Sequence, residues 1–77
     1  MEFDNRRRAK WIAGRKERGL PLDTGTFDGD PAAEAREELL DLANYAETLH
    51  AQGRIDANEW HRIYMLALDL DICFARA

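Results

Sequence analysis

The stretch Pro31 to Gln52, PAAEAREELLDLANYAETLHAQ, decides the fold. At about 100° per residue, Ala35, Leu39, Leu42, Ala46 and Leu49 recur at spacings of 4, 3, 4 and 3, which is the core seam of an amphipathic helix in a helical bundle. About 90° round the same helix runs a second line, Glu34, Glu38, Asp41, Tyr45 and Thr48, with Glu37 beside it. One helix therefore carries a packing face and a carboxylate strip next to it. Such a strip is compatible with chemistry and equally with a solvated shoulder, because acids are favoured by the helix dipole near an N-terminus.

The start and stop of this helix are well signalled. Asp30 followed by Pro31 is an N-cap and a first-turn proline, and Gly53 is the C-terminal stop. A second start follows at once, with Asp56 as N-cap, Glu59 at the third helical position and Ile55 placed to staple onto Trp60. Beyond it Trp60, Ile63, Ala67, Leu70 and Phe74 repeat the seam at spacings of 3, 4, 3 and 4. The pattern predicts an antiparallel helical hairpin, helices over about 31–52 and 57–75, with matching seams facing each other.

The second helix of that hairpin is apolar on more than one side. Met65, Leu66, Leu68, Ile72 and Cys73 lie off the seam, so the run LALDLDICF calls for burial on several faces. In so short a chain the covering surfaces are expected to be the N-terminal helix and a second copy of the protein, giving a homodimer that closes into a helical bundle. Asp71 falls on the core-facing side, within about 20° of Trp60 and Tyr64, and a carboxylate there needs an arginine, a tyrosine hydroxyl or a metal as partner.

Upstream, Asp4 to Arg18 reads as a basic helix capped by Asp4 and stopped by Gly19, with thin apolar content centred on Trp11 and Ile12. Residues 19–30, GLPLDTGTFDGD, form a loop with Leu22 and Phe27 as anchors; a connection of this length is either functional or poorly ordered. Asp28, Gly29 and Asp30 match only a fragment of a calcium loop, whose other ligands and closing glutamate are missing. The whole, residues 1–77, reads as a single small all-α domain.

Charge divides the chain. Residues 1–20 hold seven basic and three acidic residues, a net +4, whereas residues 21–77 hold four basic and twelve acidic residues, a net −8. Arg7, Arg8, Trp11 and Arg15 on the basic arm are candidates for contacting phosphates or a partner, with Trp11 able to stack on a base. The acidic body would repel a nucleic-acid duplex and no helix-turn-helix or RNA-binding signature is present, which argues for a protein partner instead. A lone cysteine, Cys73, allows no intramolecular disulfide and reads as core, the absence of serine excludes a serine nucleophile, and His50 and His61 read as edge or surface residues. No apolar run reaches bilayer length and no signal-peptide pattern occurs, so a cytoplasmic protein without membrane contact is expected.

The sharpest chemical pattern is Glu34-x-x-Glu37-Glu38-x-x-Asp41, followed by Asn44 and Tyr45. Converging carboxylates on a rigid helix suit Mg²⁺. Here EAREELLDLANYAETL resembles the second metal-ligand helix of the MazG-like, all-α nucleotide pyrophosphohydrolases, and GRKERGLPL through GDPAAEA resembles small phage-encoded relatives of that group; the similarity spans roughly residues 14–49. The resemblance implies Glu38 and Asp41 as magnesium ligands, Asn44 as a nucleotide contact, and hydrolysis of nucleoside triphosphates to monophosphate and pyrophosphate. The chain departs from the family in its first helix, where RRRAKWIAGRKER supplies only Glu17 in place of a Glu-x-x-Glu. Two functions therefore stand. The favoured one is a non-enzymatic module, such as a phage or mobile-element accessory protein, that docks its acidic surface, Glu34, Glu37, Glu38, Asp41 and Tyr45, on a basic protein surface without a cofactor; the alternative is a Mg²⁺-dependent hydrolase completed by homodimerisation.

Overall fold

The computed structural model describes residues 2–77. It contains three helices, α1 (Glu2–Glu17), α2 (Pro31–Ala51) and α3 (Ala57–Ala75), and the described residues form no strand. The all-α class and the hairpin follow the sequence pattern, and the boundaries of α2 and α3 lie within one residue of it.

The signals at the helix ends act as their chemistry dictates. Asp30 accepts a hydrogen bond from the Ala32 amide at 3.0 Å, with Pro31 as first helical residue. At the other end Gly53, at φ 71°, sends its amide to the His50 carbonyl while Arg54 reaches back to that of Leu49. This paired closure needs a left-handed residue, which glycine adopts without strain. Asp56 and Glu59 complete a reciprocal box: the Glu59 amide donates to Asp56 at 2.7 Å and the Asp56 amide to Glu59 at 3.0 Å. Gly19, at φ 64°, ends α1 in the same manner as Gly53, with Leu20 donating to the Arg15 carbonyl. At the start of α1 the expectation is corrected. The helix opens at Glu2, so Asp4 is not its cap but lies in its first turn, 2.9 Å from Arg7.

The hairpin closes on two alanines, Ala46 at 2% and Ala67 at 6% exposure. Around them Ala35, Leu39, Ala43 and Leu49 of α2 and Trp60, Ile63, Asp71 and Phe74 of α3 are half-buried. Two seam positions are thus corrected: Leu42 is 46% exposed and Leu70 45% exposed, and the next residue in each helix, Ala43 and Asp71, faces inward instead. The reason is periodicity. A strict 3, 4, 3, 4 repeat stays on one line only if the helices supercoil, and a straight helix drifts by about 20° per heptad, so a further step of four replaces one of three. Small side chains at the crossing bring the helices close, and Trp60 packs edge-on to Tyr64 with ring centroids 5.7 Å apart.

The N-terminal helix does not cover the hairpin. Among the described residues α2 and α3 are the one pair of helices that packs together, and α1 instead binds its own loop. Arg15, fully buried, is the pin: its Nε donates to the Pro21 carbonyl at 2.6 Å, its Nη2 donates to the Thr26 carbonyl, and its guanidinium lies 4.7 Å from the centre of the Trp11 ring. Trp11 donates from Nε1 to the Leu22 carbonyl at 3.1 Å and stacks near Phe27 at 6.4 Å. Asp23 ties the tip, accepting from the Gly25 amide and the Thr26 hydroxyl, both at 2.8 Å. The Thr26 hydroxyl foremost, with the Gly25 and Thr26 amides and the Arg15 charge, holds the Asp23 carboxyl below its ordinary range. The loop is therefore a clip tied to α1, whose anchors are Phe27 through its ring and Leu22 through its carbonyl.

Candidate functional site

The carboxylate strip of α2 is a real surface feature. Glu34, Glu37, Glu38, Asp41 and Tyr45 are all exposed, and none of the four acids forms an ion pair among the described residues. Replacing Leu42 by Ala43 on the inward line turns the buried face about 20° further from the strip, which lies roughly 120° away from it. It is an open ridge, flanked by the exposed Leu42. Four negative charges within two helical turns repel one another and create a local field that favours a cationic ligand.

Glu38 and Asp41 bring two carboxylates to one exposed strip, and among the described residues no group of three His, Cys, Asp or Glu side chains is placed to hold one metal ion. No other element faces the ridge, since α1, where the second acidic motif of a hydrolase would sit, packs on its own loop. Nor does Asp71 turn that way. It is taken by Arg36, with Nε 2.8 Å from Oδ1 and Nη2 3.4 Å from Oδ2, an ion pair that links α2 to α3. The hydrogen bond from Arg36 holds the Asp71 carboxyl below its ordinary range, and the same bond, with the fields of Asp71 and Glu37, raises Arg36 above its own.

The basic arm divides on inspection. Arg15 and Trp11, nominated for a ligand, are turned inward to hold the loop, Arg15 with its guanidinium wholly buried, so neither is open to phosphate or base. Arg7 is paired with Asp4, whereas Arg8 is exposed without such a partner, as are Arg6 and Lys10. His50 lies with Nδ1 3.2 Å from the Ile55 carbonyl, bracing the turn, and His61 is exposed. Cys73, expected in the core, is exposed. Asn44 is exposed on α2 and is not among the residues lining the groove between α2 and α3.

A feature absent from the sequence reading is an apolar groove between α2 and α3, lined by Leu39, Leu40 and Ala43 on one side and Tyr64, Ala67 and Leu68 on the other, with Asp71 at its end. Leu40, Tyr64 and Leu68 are all exposed. Of the three partners open to Asp71, an arginine, a tyrosine hydroxyl or a metal, the structure supplies the arginine; that it is Arg36 was not singled out, although Arg36 is the sole arginine or lysine of α2. Comparison with protein-family models, with curated proteins and with solved structures finds no match. Among the described residues, no helix is long and apolar enough to cross a membrane.

Proposed function

We propose that this chain is a non-enzymatic protein-interaction module that binds, and by occupying it inhibits, a basic surface of a partner protein. In this reading two copies form a homodimer, and the acidic ridge of each α2 faces outward. The observation that carries it is the ridge itself: four unpaired carboxylates, Glu34, Glu37, Glu38 and Asp41, beside the exposed Tyr45 on a capped helix. An ordered helix that presents charge beside an aromatic ring offers both steering and a contact residue. Docking is favoured over hydrolysis because Glu38 and Asp41 stand on an open ridge, and α1, which would have to supply the facing acids, packs on its own loop.

The test is to incubate the purified protein with a panel of nucleoside triphosphates, with and without Mg²⁺, and assay pyrophosphate and melting temperature. The module releases none, and Mg²⁺ leaves its melting unchanged. Pyrophosphate release that Asp41→Asn abolishes would overturn the reading in favour of the hydrolase.

A further inference from the structure

The surface of the folded chain is too large for its mass. It exposes 6465 Å², whereas a compact monomer of 8.9 kDa exposes about 4,800 Å². Its radius of gyration is 15.1 Å, against about 11.5 Å for a compact domain of this length. The excess is roughly 1,600 Å² per chain, about twice the 800 Å² that each partner contributes to a standard stable interface. Part of it belongs to α1, which does not pack on the hairpin, and α3 adds the exposed Tyr64, Met65, Leu66, Leu68, Leu70 and Ile72.

That surface has an order of its own. Met65, Leu68 and Ile72 recur at spacings of 3 and 4 and form a second seam on α3, roughly 130° from the one that packs on α2. All three are exposed, and Leu68 also lines the groove with Leu40, Ala43 and Tyr64. The seam and the groove are continuous. Among the described residues α1 does not cover them: Trp11 is engaged with the loop, and Phe3, exposed on the same helix, belongs to an element that does not pack on the hairpin.

We infer that a second copy of this chain occupies this face, α3 against α3 in antiparallel fashion, with Leu68 near the two-fold axis and the Met65 side chain of each copy beside Ile72 of the other. A seam whose centre lies between Met65 and Ile72 is self-complementary under a two-fold rotation, which is the requirement for an isologous dimer. Charge agrees. Asp71, the ionic group that lines the groove, is neutralised by Arg36, the exposed Asp69 flanks the seam about 70° round the helix from its centre, and the acidic ridge is on another side of α2, so pairing does not bring ridge against ridge. The inference rests on the homodimer in the reading above and is independent of what the ridge binds.

Sedimentation equilibrium of the full chain tests it, together with Leu68→Asp and with oxidation of Leu68→Cys and Leu66→Cys, each in a Cys73→Ala background. The wild type sediments as a dimer. Leu68→Asp, at an exposed position, keeps its helical circular dichroism and weakens the dimer by about a hundredfold or more. Leu68→Cys links to its mate under diamide, and Leu66→Cys, on the opposite side of α3, does not. A monomeric wild type at tens of micromolar overturns the inference, and so does a dimer that withstands Leu68→Asp or cross-links through Leu66→Cys; binding at the acidic ridge is read separately by titration.

Discussion

Arg36 of α2 and Asp71 of α3 meet at 2.8 Å across the hairpin, and theirs is the ion pair that joins the two helices. Because folding holds Asp71 below the ordinary carboxylate range, its contribution is complete above about pH 4 and is lost as pH falls through the lowered value. Asp71→Asn should therefore lower the melting temperature at pH 7 and leave it nearly unchanged relative to wild type at the acid end. The check is thermal unfolding of both proteins across pH 2.5–7, with those limits chosen to bracket roughly the ordinary carboxylate range. A deficit that grows on acidification would contradict the pair.

The alanines at the crossing set the helix separation. Ala46 and Ala67 are the buried apolar residues of the hairpin, so Ala46→Leu should force the helices apart and cost about 1–3 kcal/mol in urea unfolding. Leu42→Ala, at a half-open position, should cost less than Ala46→Leu. The reverse order would mean that Leu42 lies on the inward line after all.

The clip around Arg15 is local, since α1 packs on its loop and not on the hairpin. Arg15→Ala should accelerate amide exchange in α1 and in residues 20–27 while α2 and α3 keep their protection. Loss of protection in α3 would show that α1 and the hairpin fold as one unit.

The reciprocal box at the start of α3 gives a graded test. Asp56→Ala removes the acceptor for the Glu59 amide and should cost about 1 kcal/mol, and Asp56→Ser should recover most of it. Chemical denaturation followed at the helical minimum reads both.

Most of the fold was legible because its signals are local. Asp30-Pro31, Gly53 and the Asp56–Glu59 box act through neighbours in sequence, and each formed as its residue types dictate. Errors arose where a choice depended on the neighbouring helix. Leu42 and Leu70 satisfy a heptad, but two short straight helices turn Ala43 inward in place of Leu42, and in place of Leu70 the Asp71 whose own angle already set it on the core-facing side, where Arg36 of α2 pairs with it. The role of Arg15 was illegible for a related reason. Its partners are carbonyls of Pro21 and Thr26, which every sequence possesses, so no residue type marked them. The acidic strip was visible as a line of residue types, whereas its distance from the core depended on which of two adjacent residues pointed inward.

Titration of a lysine- and arginine-rich helical peptide into the wild type and into Glu34→Gln/Glu38→Gln/Asp41→Asn, at low and near-physiological salt, tests the acidic ridge most directly. A second triple variant, Glu17→Gln/Asp28→Asn/Glu47→Gln, removes as many charges away from the ridge. Binding to the wild type should weaken with salt, fall by about tenfold or more in the ridge variant and persist in the control variant. Equal loss in both variants, or binding indifferent to the ridge, would contradict the assignment of this surface to partner recognition.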